Sequence, residues 1–124
     1  MAGLPKQARL LNKKDYNSVF SKSVKVSNSL FLILIHKTTN PYSRLGLVIS
    51  KKVDKRAVQR NRIKRIVRES FRESIKNKIF VQNCDYVILA RSKAVSCFNK
   101  DLFLSLDVLW KQSQSKIKSS RKKK

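Results

Sequence analysis

Acidic residues are what this sequence has least of. Its 124 residues include seven Asp and Glu against thirty Lys and Arg, a net charge of +23 and a pI of about 10.7. The basic excess survives at any physiological pH and points to a polyanion as partner. The acids themselves, Asp15, Asp54, Glu69, Glu73, Asp85, Asp101 and Asp107, are scattered along the chain. A protein-only nuclease would need carboxylates gathered around a metal, or a histidine with a partner, and neither is found. Glu69 and Glu73 are four residues apart in a very basic segment and read as partners for Arg65, Arg68, Arg72 or Lys76. His36, the single histidine, ends an apolar stretch and reads as structural.

Cysteine is nearly as sparse. Cys84 and Cys97 stand thirteen apart with no zinc-ligand spacing, and are expected to be buried thiols in a reducing compartment. No zinc site is expected in the protein, and no metal ligand is assigned. The longest apolar run, Leu30 to Ile35, falls far short of the roughly 20 residues of a spanning helix. No secretory signal is evident. These absences imply a cytoplasmic protein with no membrane partner, and nucleic acid as the polyanion.

The length suits one domain with tails. Residues 1–11 contain Pro5 and few core formers, and are expected to be mobile, with Arg9 able to touch RNA. A short helix is predicted from about Lys13 to Ser21, capped by Asn12 and stapled by Leu11 against Tyr16; Tyr16, Val19 and Phe20 share one face. Between Val24 and Lys37 the pattern passes into LFLILI, a strand covered on both sides. Thr38 to Ser43, with Asn40-Pro41, reads as a connection to a second strand over Arg44 to Ser50, the two forming a hairpin. Gly46 within that strand predicts a close approach by a neighbour, or a bulge.

Next comes a long helix from about Lys55 or Arg56 to Lys76. Ile66, Val67, Ser70, Phe71 and Ser74 gather on one side, each within about 80° of Ile63 at the 3.6-residue period. Asn61, Arg62, Lys64, Arg65, Arg68, Arg72 and Lys76 occupy the opposite arc. Like charges four apart (Arg60, Lys64, Arg68, Arg72) would repel on an ordinary solvated helix, and a polyanion relieves that repulsion. Arg60 falls beside the apolar seam, so it must reach round the helix start or enter a polar cleft beside the sheet. After a loop over Asn77 to Asn83, Asp85 to Arg91 reads as a third buried strand, and strand, helix, strand implies a parallel crossover. A last helix is expected to be capped by Asn99 and stapled by Phe98 and Phe103, with Leu102, Leu106, Leu109 and Trp110 inward. The domain is then expected to close at residue 112, leaving 113–124 as a solvated basic tail.

Arg60-Asn61-Arg62-Ile63-Lys64-Arg65, extended by Arg68-Glu69-Ser70-Phe71-Arg72, resembles the RNR motif of bacterial ribonuclease P proteins. The resemblance continues through Arg9-Leu10, Lys14-Asp15-Tyr16, Phe20, Gly46-Leu47, Ser50-Lys51-Lys52, Asp85-Tyr86-Val87 and Ala90-Arg91. It implies an α+β single-domain sandwich with a mainly antiparallel sheet and a left-handed β-α-β crossover carrying the RNR helix. It also implies a subunit that helps a catalytic RNA remove the 5′ leader of precursor tRNA, with Mg2+ required by the RNA. On that resemblance Arg60, Asn61, Arg62, Lys64, Arg65, Arg68 and Arg72 face the RNA subunit, and Lys51 and Lys52 add phosphate contacts, as does Arg9. Tyr16, Phe20, Leu34 and Arg60 line a leader cleft between the sheet and the first helix, Leu34 at a position where some relatives carry an aromatic. A generic basic RNA-binding protein of the ribosomal type is the alternative.

Overall fold

The protein is described by a computed structural model covering residues 13–38, 43–76 and 84–122. The N-terminal segment with Arg9 and Asn12, most of the Asn40-Pro41 connection and the loop over 77–83 lie outside the described residues. In chain order the elements are α1 (Lys13–Lys22), β1 (Val24–Ser27), β2 (Phe31–Lys37), β3 (Arg44–Val48), α2 (Ala57–Lys76), β4 (Cys84–Ala90), a short 3-10 helix (Ser92–Ser96) and α3 (Asn99–Lys122). No described helix is long and apolar enough to cross a membrane.

The four strands form one sheet in the order β1-β2-β4-β3. β1 pairs antiparallel with β2, β2 antiparallel with β4, and β3 parallel with β4, so β3-α2-β4 is the expected crossover. The expected hairpin between β2 and β3 does not form, because β4 lies between them. The hairpin is instead β1-β2, turned at Asn28, whose Oδ1 accepts the backbone N–H groups of Leu30 and Phe31 at 2.9 Å. β2 and β4 are the inner strands, which is why both read as continuous apolar runs.

Alternation along the strands sorts the core into two unequal parts. One face carries Val26, Phe31, Ile33, Ile35, Leu45, Tyr86 and Ile88 against Ile63, Ile66, Val67 and Phe71 of α2 and Leu102, Leu106, Leu109 and Trp110 of α3. Phe71, Tyr86 and Trp110 meet edge to face at centroid distances of 5.7–6.0 Å. Ser70, on the apolar side of α2, accepts the Trp110 Nε1–H at 2.8 Å. The other face holds a smaller cluster of Val19, Leu34 and Val87 beneath α1.

The C-terminal end of the chain departs from expectation in three ways. α3 does not stop near residue 112; Ser113 and Gln114 are buried, with Gln114 Nε2 donating to the Tyr86 hydroxyl at 3.0 Å and Ser113 Oγ to the Trp110 carbonyl at 2.6 Å. Buried hydroxyl and carbonyl groups require partners, and these two polar residues supply them. Phe98 is 81% exposed and forms no staple. Its carbonyl accepts the first helical bonds, from Asp101 and Leu102, so Phe98 rather than Asn99 holds the N-cap position. Of the two cysteines, Cys84 is buried and Cys97 only half-buried, and neither forms a disulfide.

Candidate nucleic-acid interface

α2 presents its two sides as the helical period requires. Ile63, Ile66, Val67, Ser70, Phe71 and Ser74 are buried, while Asn61, Arg65 and Arg68 are exposed and Lys64 and Arg72 partly exposed. Its first turn contains no acid to offset the positive end of the helix dipole. The turn leading into it closes from Val53 N–H to the Ser50 carbonyl at 3.0 Å and leaves Lys51 and Lys52 exposed. Asp54 does not weaken this basic field much, because it is paired locally. It accepts the Arg56 backbone N–H at 2.7 Å and the Arg56 guanidinium at 2.8 and 3.0 Å, contacts that hold its carboxyl down at about 2.

Two arginines of the motif have structural duties. Arg60 reaches back round the helix start, its Nη1 donating to the Asp54 and Lys55 carbonyls at 2.8 Å each. The cation thereby pins the turn that carries Lys51 and Lys52. Arg62, expected on the outward RNA-facing arc, is drawn sideways onto the junction of the 3-10 helix and α3. Its Nη2 donates to the Val95 carbonyl at 2.9 Å, its Nη1 to Asn99 Oδ1 at 2.6 Å and the Cys97 carbonyl at 3.3 Å, and its Nε to Gln59 Oε1 at 3.0 Å. The fork is half-buried and saturated with neutral acceptors, so Arg62 ties α2 to α3 more than it offers a phosphate contact. Asn99, the expected cap, is one of its acceptors.

The second surface lies across the sheet. Tyr16 of α1 stands over β3, where a Cβ on Gly46 would come within 2.6 Å of its ring, and its hydroxyl accepts the Leu47 N–H at 3.3 Å. Gly46 is therefore required by close approach, not by a bulge. Val19 is fully buried against Leu34 and Val87. Leu34 at 3% exposure is the floor under α1 and has no surface on which a base could stack. Its assignment to the cleft lining is corrected accordingly.

The lining is one row further along. Leu32, Leu89 and Val48 are cross-strand neighbours on the same face, and each is half-buried beside the Val19 cluster. Phe20, on α1, carries an aromatic side chain that is 45% exposed. On the far side of the α1 crossing the corresponding row is polar: His36, Asp85 and Arg44, with the guanidinium forked onto the Asp85 carboxylate at 2.7 and 2.8 Å. α1 thus divides this face into an apolar half and a polar half. The apolar half ends at Val48, from which the chain runs directly into the turn bearing Lys51 and Lys52 and the start of α2. Sequence reasoning missed Leu32, Leu89 and Val48, although their period-two spacing from Leu34, Val87 and Gly46 contained the signal.

The chain is thus an α+β protein with a half-buried apolar row on one face of its sheet and a helix that exposes a cationic side beside it. Comparison with known proteins assigns the class more closely. The Ribonuclease P family model matches residues 4–114. The chain is 48% identical over 122 residues to the ribonuclease P protein component of Marinomonas sp. (strain MWYL1), covering 97% of this chain and 90% of that one. It is 41% identical over 110 residues to that of Histophilus somni (strain 2336), covering 89% and 90%. Among solved structures, the Staphylococcus aureus RNase P protein superposes with a TM-score of 0.78 at 28% identity, covering 86% of this chain and 95% of the other. The Thermotoga maritima RNase P protein gives 0.74 at 30%, covering 84% and 96%. This chain belongs to the ribonuclease P protein family, the protein subunits of that endoribonuclease.

Proposed function

We propose that the two surfaces divide the labour of a ribonuclease P subunit in the cytoplasm. The outer face of α2, with Asn61, Lys64, Arg65, Arg68 and Arg72, docks on the catalytic RNA subunit. The groove of Phe20, Leu32, Leu89, Val48 and Tyr16 takes the single-stranded 5′ leader of precursor tRNA, and Lys51, Lys52 and Arg60 lie where the two meet. The observation that carries this reading is the half-open apolar row beside α1, adjoining the basic helix start. Leucine and valine side chains offer flat apolar contact without base selectivity, and Phe20 offers stacking. Arg9 would add a phosphate contact from the N-terminal segment.

Bond cleavage belongs to the RNA subunit. Mg2+ is assigned to the RNA subunit; of the protein's acids, Asp54 is engaged by Arg56 and Asp85 by Arg44. The protein contributes binding energy, offsetting phosphate repulsion between enzyme RNA and substrate and thereby lowering the Mg2+ concentration that the RNA needs. The test is leader removal by the RNA subunit at low Mg2+ with and without this protein. Stimulation of cleavage at the mature 5′ end is expected; unchanged cleavage would refute the proposal and favour a generic RNA-binding role.

A further inference from the structure

The outward side of α3 carries a pattern that neither RNA surface uses. Leu104 and Val108 are 55% and 52% exposed, one turn apart and opposite the buried Leu102, Leu106, Leu109 and Trp110. Asp101, Leu104, Val108, Lys111 and Ser115 succeed one another at alternating steps of three and four residues, and all are exposed. That is the heptad spacing of a coiled-coil seam. Charge along this stretch balances, Lys100 and Lys111 against Asp101 and Asp107, in a chain whose net charge is +23. A polyanion finds no excess of positive charge here, and two exposed aliphatic side chains in register suit a protein surface.

We propose that the seam pairs with a second copy of itself, α3 against α3 in antiparallel orientation about a two-fold axis beside Leu106. In an antiparallel pair, each Leu104 meets the partner's Val108. Asp101 lies three residues before Leu104, and Lys111 three residues after Val108. The register that joins the aliphatic pair therefore also joins Asp101 to the partner's Lys111, and symmetry makes both contacts twice. A parallel pair would set Asp101 on Asp101 and Lys111 on Lys111, so charge selects the antiparallel form. The complementarity lies wholly within one helix, which is why the occupant is a second copy and not a foreign protein.

Such a contact is smaller than the roughly 800 Å² per partner of a standard interface, and the dimer is correspondingly weak. The remaining surface is predominantly positive, so the association strengthens as salt screens that repulsion, with a Debye length of about 8 Å at physiological ionic strength. RNA binding responds to salt in the opposite sense.

Sedimentation equilibrium of the full chain without RNA, up to concentrations on the order of several hundred micromolar at about 0.15 M salt, tests the proposal. A reversible monomer–dimer equilibrium is expected, abolished by the pair L104E/V108E. D101K and K111D should each weaken the dimer about tenfold, because two opposite-charge contacts become like-charge ones. Together, D101K/K111D should return the affinity to within about threefold of the starting chain, each charge again meeting its opposite. All four changes are at exposed positions, and circular dichroism checks that each variant is folded. A monomer at every concentration, a dimer indifferent to L104E/V108E, or a doubly swapped chain as weak as the single swaps would overturn the proposal.

Discussion

The two faces of the sheet are built from the same strands and finished differently. Behind it, α2 and α3 close over a face whose largest side chains, Trp110, Tyr86, Phe31 and Phe71, are fully buried. In front, α1 alone crosses the sheet, seals Leu34 and Val87, and leaves Leu32, Leu89 and Val48 half open. Burial of a large apolar side chain is worth about 1.5–3 kcal/mol, so the closed face dominates stability. The open face withholds part of that stabilisation and leaves apolar surface accessible. α2 belongs to both schemes, since one side anchors the closed face and the other bears the cationic surface.

If that division holds, substitutions should separate stability from binding. The largest effect is expected at Trp110→Ala, which removes one of the three mutually packed rings of the aromatic cluster and the bond to Ser70. A loss of about 3–5 kcal/mol is expected in chemical denaturation, with the surviving folded fraction still binding RNA. Phe20→Ala, at an exposed position of the open face, should instead cost about 1–3 kcal/mol of leader affinity, with stability within about 0.5 kcal/mol of the original.

Gly46→Ala tests whether α1 is held by close approach. Its Cβ would meet the Tyr16 ring at 2.6 Å, so the helix must shift, at about 1–3 kcal/mol, and leader affinity should fall with it. Arg62→Lys keeps the charge and loses the fork. Destabilisation of about 1–2 kcal/mol is expected, with the salt dependence of RNA affinity unchanged. Arg68→Ala should do the opposite, weakening RNA affinity and reducing the salt slope by about one while leaving stability nearly intact.

The smallest effect concerns pH. Arg56 holds the Asp54 carboxyl at about 2, below the ordinary 3.8. A depressed carboxylate lends its contribution at pH values above the unfolded value and loses it as pH falls through the folded one. The turn before α2 should therefore stay ordered down to moderately acid pH and loosen only near pH 2, as carboxyl chemical shifts would show. High salt should raise the midpoint, because Arg56 is exposed.

The sequence alone was most informative where one periodic signal ran long. α2 reads correctly from its first turn to Lys76 because six seam residues, Ile63 to Ser74, keep to the same side over about three turns. β1 was illegible because VKVS offers only two apolar residues before LFLILI begins. The β2-β3 hairpin failed because strand pairing is non-local, and no local pattern reveals that β4 inserts between them. The polar end of the core, where Gln114 and Ser113 serve Tyr86 and Trp110, is set by partners distant in sequence. Burial there also pushes the Tyr86 hydroxyl up. Arg62 and Leu34 failed for a related reason: a residue's type and helical angle do not disclose the carbonyls of Val95 and Cys97, or the weight of α1 above.

The proposed division between the two surfaces is tested most directly by the ratio of holoenzyme affinities for precursor and mature tRNA, measured with saturating RNA subunit for Phe20→Ala and for Arg68→Ala. Loss of leader contacts should lower the ratio about tenfold in Phe20→Ala, the equivalent of about 1.4 kcal/mol, and leave it unchanged in Arg68→Ala once assembly is complete. A ratio that falls in Arg68→Ala and persists in Phe20→Ala would contradict the assignment of the open face to the leader and of α2 to the catalytic RNA.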